Sequence, residues 1–348
     1  MIAGIELGKK YAQISVKTEL MSEPESITMV VGSENYRIPV EADFDKKSEI
    51  QELFRKLWKM ILPYGDKEPL EYLVFCLEEC SNDLRTMLLE IVRSYEISEK
   101  IIKFMDKKEC FCTYLFHQSA ELLARNALLI ENVDGEQKHY LLHKQIRNNQ
   151  NLARVHDISE KSLEQVFKDH GISSVFLLGD DFEEGWMQQN MRLLKSGRRV
   201  FAGKNLFVKG ACYRGMELKD ETENYLYLDE EKICCDIMLR NVIHGKEEFL
   251  PVVKGGKNWY ESEVSMELLL LDEPELEFVI FPIGGGETQT IVIPLKDLPK
   301  RPKKTTRIQM KMSFQTSSCG KLQIRDLGFG ELFPASDMNY EGKLQWEQ

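Results

Sequence analysis

The sequence predicts an α/β domain followed by an antiparallel β domain, and three observations carry that expectation. From residue 1 to residue 219, short apolar runs of strand length alternate with apolar stripes at helical spacing. From residue 220 the helical stripes stop, and alternating strands separated by glycine and serine turns follow at all-β spacing. The chain has 348 residues, too many for one ordinary domain and suited to two.

Composition narrows the partners before any motif is considered. Hydrophobic residues at 43% and charged residues at 30% describe a globular protein with ample core. A net charge of −11 without a long basic run argues against nucleic acid or an anionic membrane as the main partner. No apolar stretch approaches the roughly 20 residues of a membrane span. The N-terminus opens as a strand and not as a cleavable signal. The eight cysteines form no CxxC and no His pair stands at zinc spacing. Reduced buried thiols, no metal site and a cytoplasmic location are therefore expected.

Met1–Leu7 (MIAGIEL) is apolar enough for a central strand, Gly8-Lys9-Lys10 is its turn, and Tyr11–Thr18 alternates as the returning strand of a hairpin. Ser26–Arg37 reads as strand-like with a turn at Gly32-Ser33. Leu53, Phe54, Leu57, Trp58, Ile61 and Leu62 form the apolar face of a helix over Gln51–Leu62. Tyr72–Leu77 is a second buried strand, and Ser81-Asn82-Asp83 supplies the N-cap of a helix striped by Leu84, Met87, Leu88, Ile91 and Val92. A strand at Ile101–Phe104 precedes a loop and helix over Thr113–Asn126, ending in ELLARN. Leu128–His143 is a hairpin, its turn at Asp134-Gly135, and Lys144–Asp157 connects it to a helix over Glu160–His170.

The stretch Val175–Tyr213 organises the rest of the chain. Its strand breaks at Gly179, an acidic turn (Asp180, Asp181, Glu183, Glu184) follows, and Trp186–Leu194 continues as a helix. The acidic turn reads as favourable charge at a helix N-terminus, and Arg198-Arg199 as a surface or interdomain pair. Small residues in Lys209–Gly215 permit close approach of that helix to a sheet, or of backbone to a ligand. In the second domain, strands are expected at Tyr225–Leu228, Cys234–Val242, Ser262–Leu271, Glu277–Phe281, Thr290–Ile293, Arg307–Phe314 and Leu322–Leu327. Asp326–Glu331 closes this sandwich, with a polar tail behind.

GIELGKKYAQISV (Gly4–Val16) resembles the first phosphate loop of the actin, heat-shock chaperone and sugar-kinase superfamily. LVFCLEECSNDLRTMLLEIVRSYEIS is similar to a strand, loop and helix of the DnaK-type chaperones, Ile172–Gln189 to their adenosine-contacting segment and Lys209–Leu218 to their closing helix. The resemblance implies a shortened, ribonuclease-H-like actin/DnaK-type ATPase fold over residues 1–219 and a β-sandwich over 220–348. It implies ATP and magnesium as ligands, with cofactor-binding positions at Glu6, Gly8, Lys9, Lys10, Gly179 and Asp180. Glu6 stands where the family has an aspartate orienting a metal-bound water; Lys9 and Lys10 replace small hydroxyl residues, and Gly179-Asp180 replaces a double glycine. The second phosphate loop is unmatched: Leu128–His143 contains only Gly135, without the family's aspartate and run of glycines. The lid subdomain inserted after that loop has no room here. No catalytic residue is assigned, and no cofactor beyond the implied ATP and magnesium. The expectation is a non-catalytic, chaperone-like binding or scaffold protein whose sandwich holds a protein or peptide partner. The alternative is a divergent Mg-ATP-binding ATPase using Glu6 with Lys9 or Lys10.

Overall fold

The computed structural model describes residues 1–348 except 31–34, 66–67, 79, 134, 148, 180–181, 183, 223, 244–245, 272–273 and 348. The chain divides into two compact units, Met1–Tyr227 and Leu228–Gln348.

The first half of unit 1 runs β1 (Ile2–Leu7), β2 (Tyr11–Lys17), β3 (Glu25–Ser26), β4 (Ile38–Pro39), α1 (Lys47–Gly65), β5 (Tyr72–Leu77), α2 (Asn82–Arg93), β6 (Ile102–Asp106) and α3 (Lys107–Phe116). The second half runs β7 (Asn126–Val133), β8 (Glu136–Arg147), β9 (Gln150–Asp157), α4 (Leu163–Asp169), β10 (Ile172–Leu178), α5 (Glu184–Lys195), β11 (Arg199–Gly203), α6 (Leu206–Asp220) and β12 (Leu226–Tyr227). Local chemistry sets several of these boundaries. Every residue of β1 is buried, as expected of a central strand that is apolar apart from Glu6. The Ser81 hydroxyl accepts from the Leu84 N–H at 3.2 Å and caps α2. The Asp106 carboxylate accepts from the Glu109 N–H at 2.7 Å, which starts α3 at Lys107.

Two sheets repeat one strand order among the described residues. The first is β3-β2-β1-β5-β6, with β4 also on β2; the second is β11-β10-β7-β8-β9-β12. In each, a hairpin-linked antiparallel set (β1-β2-β3, β7-β8-β9) is extended from its first strand by two parallel strands (β5-β6, β10-β11). Helices α3 and α6 pack together, and α6 also lies on β1 and β5. Gly210 makes this approach possible, since a Cβ there would fall 2.0 Å from the Cys110 carbonyl oxygen of α3.

Several expectations need correction. ELLARN is turn and not helix: α3 ends at Phe116, and the Leu122 carbonyl accepts from the Ser173 and Ser174 hydroxyls at 3.0 and 2.6 Å. Lys144–Asp157 is no connector. Its residues extend β8 and form β9, with Leu152, Ala153 and Val155 buried. Of the Arg198-Arg199 pair, Arg199 lies at the surface, at the start of β11 and paired with Glu121 at 2.5 Å, while the Arg198 guanidinium stacks 4.1 Å from the Phe167 ring centroid. Within Ser26–Arg37 the described residues hold only the end of β3, and the Gly32-Ser33 turn lies outside them. Beyond residue 219, Leu226–Tyr227 pairs in parallel with β9, and Tyr225 stacks on Phe116 at 4.1 Å while its hydroxyl donates to Thr113 Oγ1 at 2.7 Å. These contacts carry unit 1 to Tyr227.

Unit 2 comprises β13 (Cys235–Ile243), β14 (Lys246–Val253), β15 (Glu263–Leu270), β16 (Glu275–Pro282), β17 (Gln289–Pro294), β18 (Thr306–Thr316), β19 (Cys319–Gly328) and β20 (Asn339–Gln345). Among the described residues they form two four-stranded sheets, β14-β13-β16-β17 and β15-β18-β19-β20, every pairing antiparallel. Apolar residues of both, including Ile237, Phe278, Met310 and Ile324, share one core. The expected polar tail is strand: β20 pairs with β19 and buries Leu344, and Trp346 beyond it is buried as well. Asp326 in β19 takes a two-pronged hydrogen bond from Arg301 at 2.7 and 2.6 Å and further donors from the Gly328 and Ser336 N–H groups.

Candidate functional site

Each sheet of unit 1 places one glutamate near the carboxyl end of its first strand. Glu6 on β1 is 3% exposed and Glu131 on β7 is 2% exposed, although both lie in otherwise apolar runs. A buried carboxylate is costly unless it is paired or protonated, so both need an explanation. Lys107, the first residue of α3, supplies one: its ammonium donates to Glu131 Oε1 at 2.7 Å. Burial alone would lower the Lys107 pKa, but Glu131 and Glu6 more than reverse this and hold the ammonium charged. For Glu6 burial wins. It raises the carboxyl to about 7, against the opposing charge of Lys107 and with help from Glu131.

Lys107 and Glu131 line a cleft of ≈ 390 Å³. One wall is the hairpin turn Gly8–Tyr11, which is tight because the Gly8 N–H donates to the Tyr11 carbonyl at 3.0 Å. Glu78 follows β5 and accepts from the Lys9 N–H at 3.4 Å. Its Oε1 lies 3.9 Å from the Lys107 ammonium and 3.7 Å from that of Lys138. Burial would raise the Glu78 pKa, and Lys107 with the Lys9 N–H and Lys138 lowers it overall. The opposite wall comes from β7 and β8 through Glu131, Val133, Glu136 and Lys138. Glu131 Oε2 is buried and has no hydrogen-bond partner among the described residues, an acceptor left over at the site. An adjoining hollow of ≈ 510 Å³ shares Lys9 and Glu78 and carries Asp43, Asp45 and Asp83 on its rim.

The structure places Gly8, Lys9 and Lys10 on the wall of this cleft, whereas Glu6 is buried, does not line it, and acts on Lys107, Glu131 and Glu78 through its charge. Gly179 is placed differently: at φ +127°, a Cβ on it would meet the Asn132 carbonyl oxygen at 2.0 Å, so its neighbour is the backbone of β7. Asp180, Asp181 and Glu183 lie outside the described residues. Sequence reasoning missed Lys107, Glu78, Glu131 and Lys138. Glu131 stands on β7, inside the Leu128–His143 segment whose one glycine is Gly135. A lone glutamate inside ALLIEN was the available signal.

The divalent metal implied by the resemblance does not fit these residues. The Lys107 ammonium already holds Glu131, and no group of three or more His, Cys, Asp or Glu among the described residues is arranged to hold a metal ion. The arrangement suits a polar ligand that meets lysine cations at the rim and a carboxylate acceptor below.

A family described as "Family of unknown function (DUF5716) C-terminal" matches residues 41–230, and a "Domain of unknown function (DUF8552)" matches residues 232–346. The comparison with curated proteins gives no match. Among solved structures, the type II variant of the Aquifex aeolicus Ppx/GppA phosphatase is similar at 10% identity with a TM-score of 0.31, covering 51% of this chain and 67% of that one. Among the described residues no helix is long and apolar enough to cross a membrane.

Proposed function

The chain belongs to the family of unknown function DUF5716 (C-terminal), and from its cleft we propose a non-catalytic, chaperone-like binding or scaffold protein with a degenerate nucleotide-type site. The strand order supports the finer fold reading. Twice over, three antiparallel strands are extended by two parallel ones, the layout of a duplicated ribonuclease-H-like, actin/DnaK-type domain, here shortened. The two sheets of unit 2 over one core are then its β-sandwich.

The observation that carries the proposal is the Lys107–Glu131 pair at 2.7 Å. In the family that the sequence resembles, acidic residues at this cleft serve a metal ion; here an ammonium of the protein neutralises one of them. The partner proposed for unit 2 is a polypeptide. Among the described residues, the eight-residue strand β15 is paired on one side only, by β18. It therefore offers backbone groups to an added strand. A net charge of −11 favours neither nucleic acid nor membrane, and eight free cysteines suit the cytoplasm.

The competing reading, a divergent Mg-ATP-binding ATPase, is favoured by Glu6, a buried carboxyl near pH 7 that would suit a general base. Phosphate release from ATP by the full chain in magnesium separates the two. The proposal expects no release above buffer; sustained release that Glu6→Gln abolishes would establish the enzyme.

A further inference from the structure

Four features of the cleft point to one conclusion. Lys107 is buried at the start of α3 and donates to Glu131 at 2.7 Å. Its ammonium is also 3.9 Å from Glu78 and interacts with the charge of Glu6. Two carboxylates from two different strand ends thus approach one protein cation, and the buried Glu6 carboxyl interacts with its charge. The remaining oxygen of Glu131, Oε2, is buried without a hydrogen-bond partner among the described residues. This is the charge pattern of a divalent-cation site in which a side chain holds the cation's place.

We infer that Lys107 is a resident cation that replaces a divalent metal among Glu6, Glu78 and Glu131, so that the cleft takes its polar ligand without metal. The inference rests on the reading of the cleft given above. It is tested with metal alone, so its failure is distinguishable from failure of the binding or scaffold role. A lysine has one position and one unit of charge. A metal that reaches the cleft must displace the ammonium from Glu131, whereas removal of the ammonium leaves the carboxylates open to it.

The test measures thermal unfolding and Mn²⁺ binding by titration calorimetry on the full chain. Wild type, Lys107→Ala and Lys107→Ala/Glu131→Gln are compared. The wild type is expected to bind no stoichiometric Mn²⁺ and to keep its melting temperature at about 1 mM metal. Lys107→Ala is expected to melt lower and to regain roughly 5 °C on addition of Mn²⁺; the double variant gains nothing. Should Lys107→Ala fail to fold, Lys107→Gln, which keeps much of the side-chain volume and can still donate to Glu131, enters the same comparison. Stoichiometric Mn²⁺ binding by the wild type that Glu131→Gln removes would overturn the inference. So would a folded Lys107 variant indifferent to Mn²⁺, or failure of both variants to fold with Mn²⁺ present.

Discussion

Glu6 shows how a single residue links burial to measurable behaviour. Its carboxyl is raised from 4.5 to about 7 mainly by burial, so between those values the folded state holds a proton that the unfolded state has lost. Stability therefore falls as pH rises through this window, and the loss is complete above it. Glu6→Gln removes the dependence. Between about pH 4 and pH 8 the stability difference should move in favour of the variant by on the order of 3 kcal/mol, read by urea denaturation at each pH. Asp326 behaves oppositely: burial would raise its pKa, but the Arg301 bonds and the Gly328 and Ser336 donors hold it well below the usual carboxylate range. Its contribution is present above the unfolded value of 3.8 and is lost as pH falls. Asp326→Asn leaves the buried Arg301 without its charge partner and should cost unit 2 roughly 3–5 kcal/mol at neutral pH, measured by chemical denaturation. At this scale the sequence displayed Glu6, Gly8, Lys9 and Lys10 because they are contiguous in one hairpin. Lys107, Glu78 and Glu131 were hidden because the cleft collects them from the ends of β6, β5 and β7, which only the folded sheets bring together.

Elements were legible where local chemistry is strong and misread where tertiary contacts override it. The Ser81 cap and the stripe of α2 stood out from the sequence, as did β1, β5 and β10 with their largely apolar runs. ELLARN has the composition of a helix, yet the serines of β10 capture the Leu122 carbonyl and hold the segment as a turn. Strands β9 and β20 were obscured by their polar outer residues, because each shows only one face to a core. The small residues of α6 did foretell close packing, and this yields a prediction. Helix propensity alone makes alanine better than glycine by about 1 kcal/mol. At position 210 the added Cβ would meet the Cys110 carbonyl oxygen at 2.0 Å. Gly210→Ala should therefore destabilise unit 1 by about 3 kcal/mol, with α3 and α6 forced apart, as seen in a lower urea midpoint.

On the scale of the whole molecule, the composition of the sequence changes after residue 219, whereas the two compact units divide at 227/228, with Tyr225 and Tyr227 buried in the first. The sequence assigned Tyr225–Leu228 to the second domain as its first strand; the stack on Phe116 and the bond to Thr113 put Tyr225 in unit 1 instead. Unit 2 has its own apolar core, so residues 228–348 expressed alone should fold cooperatively, with near-ultraviolet circular dichroism from buried Trp346 that disappears in one thermal transition. The central claim, a nucleotide-type cleft supplied with its own cation and no longer dependent on metal, is tested most directly by calorimetric titration of the full chain with ATP. One titration contains magnesium and the other a chelator. The account predicts the same isotherm in both, with any binding weak and metal-independent; micromolar binding that requires magnesium would contradict it.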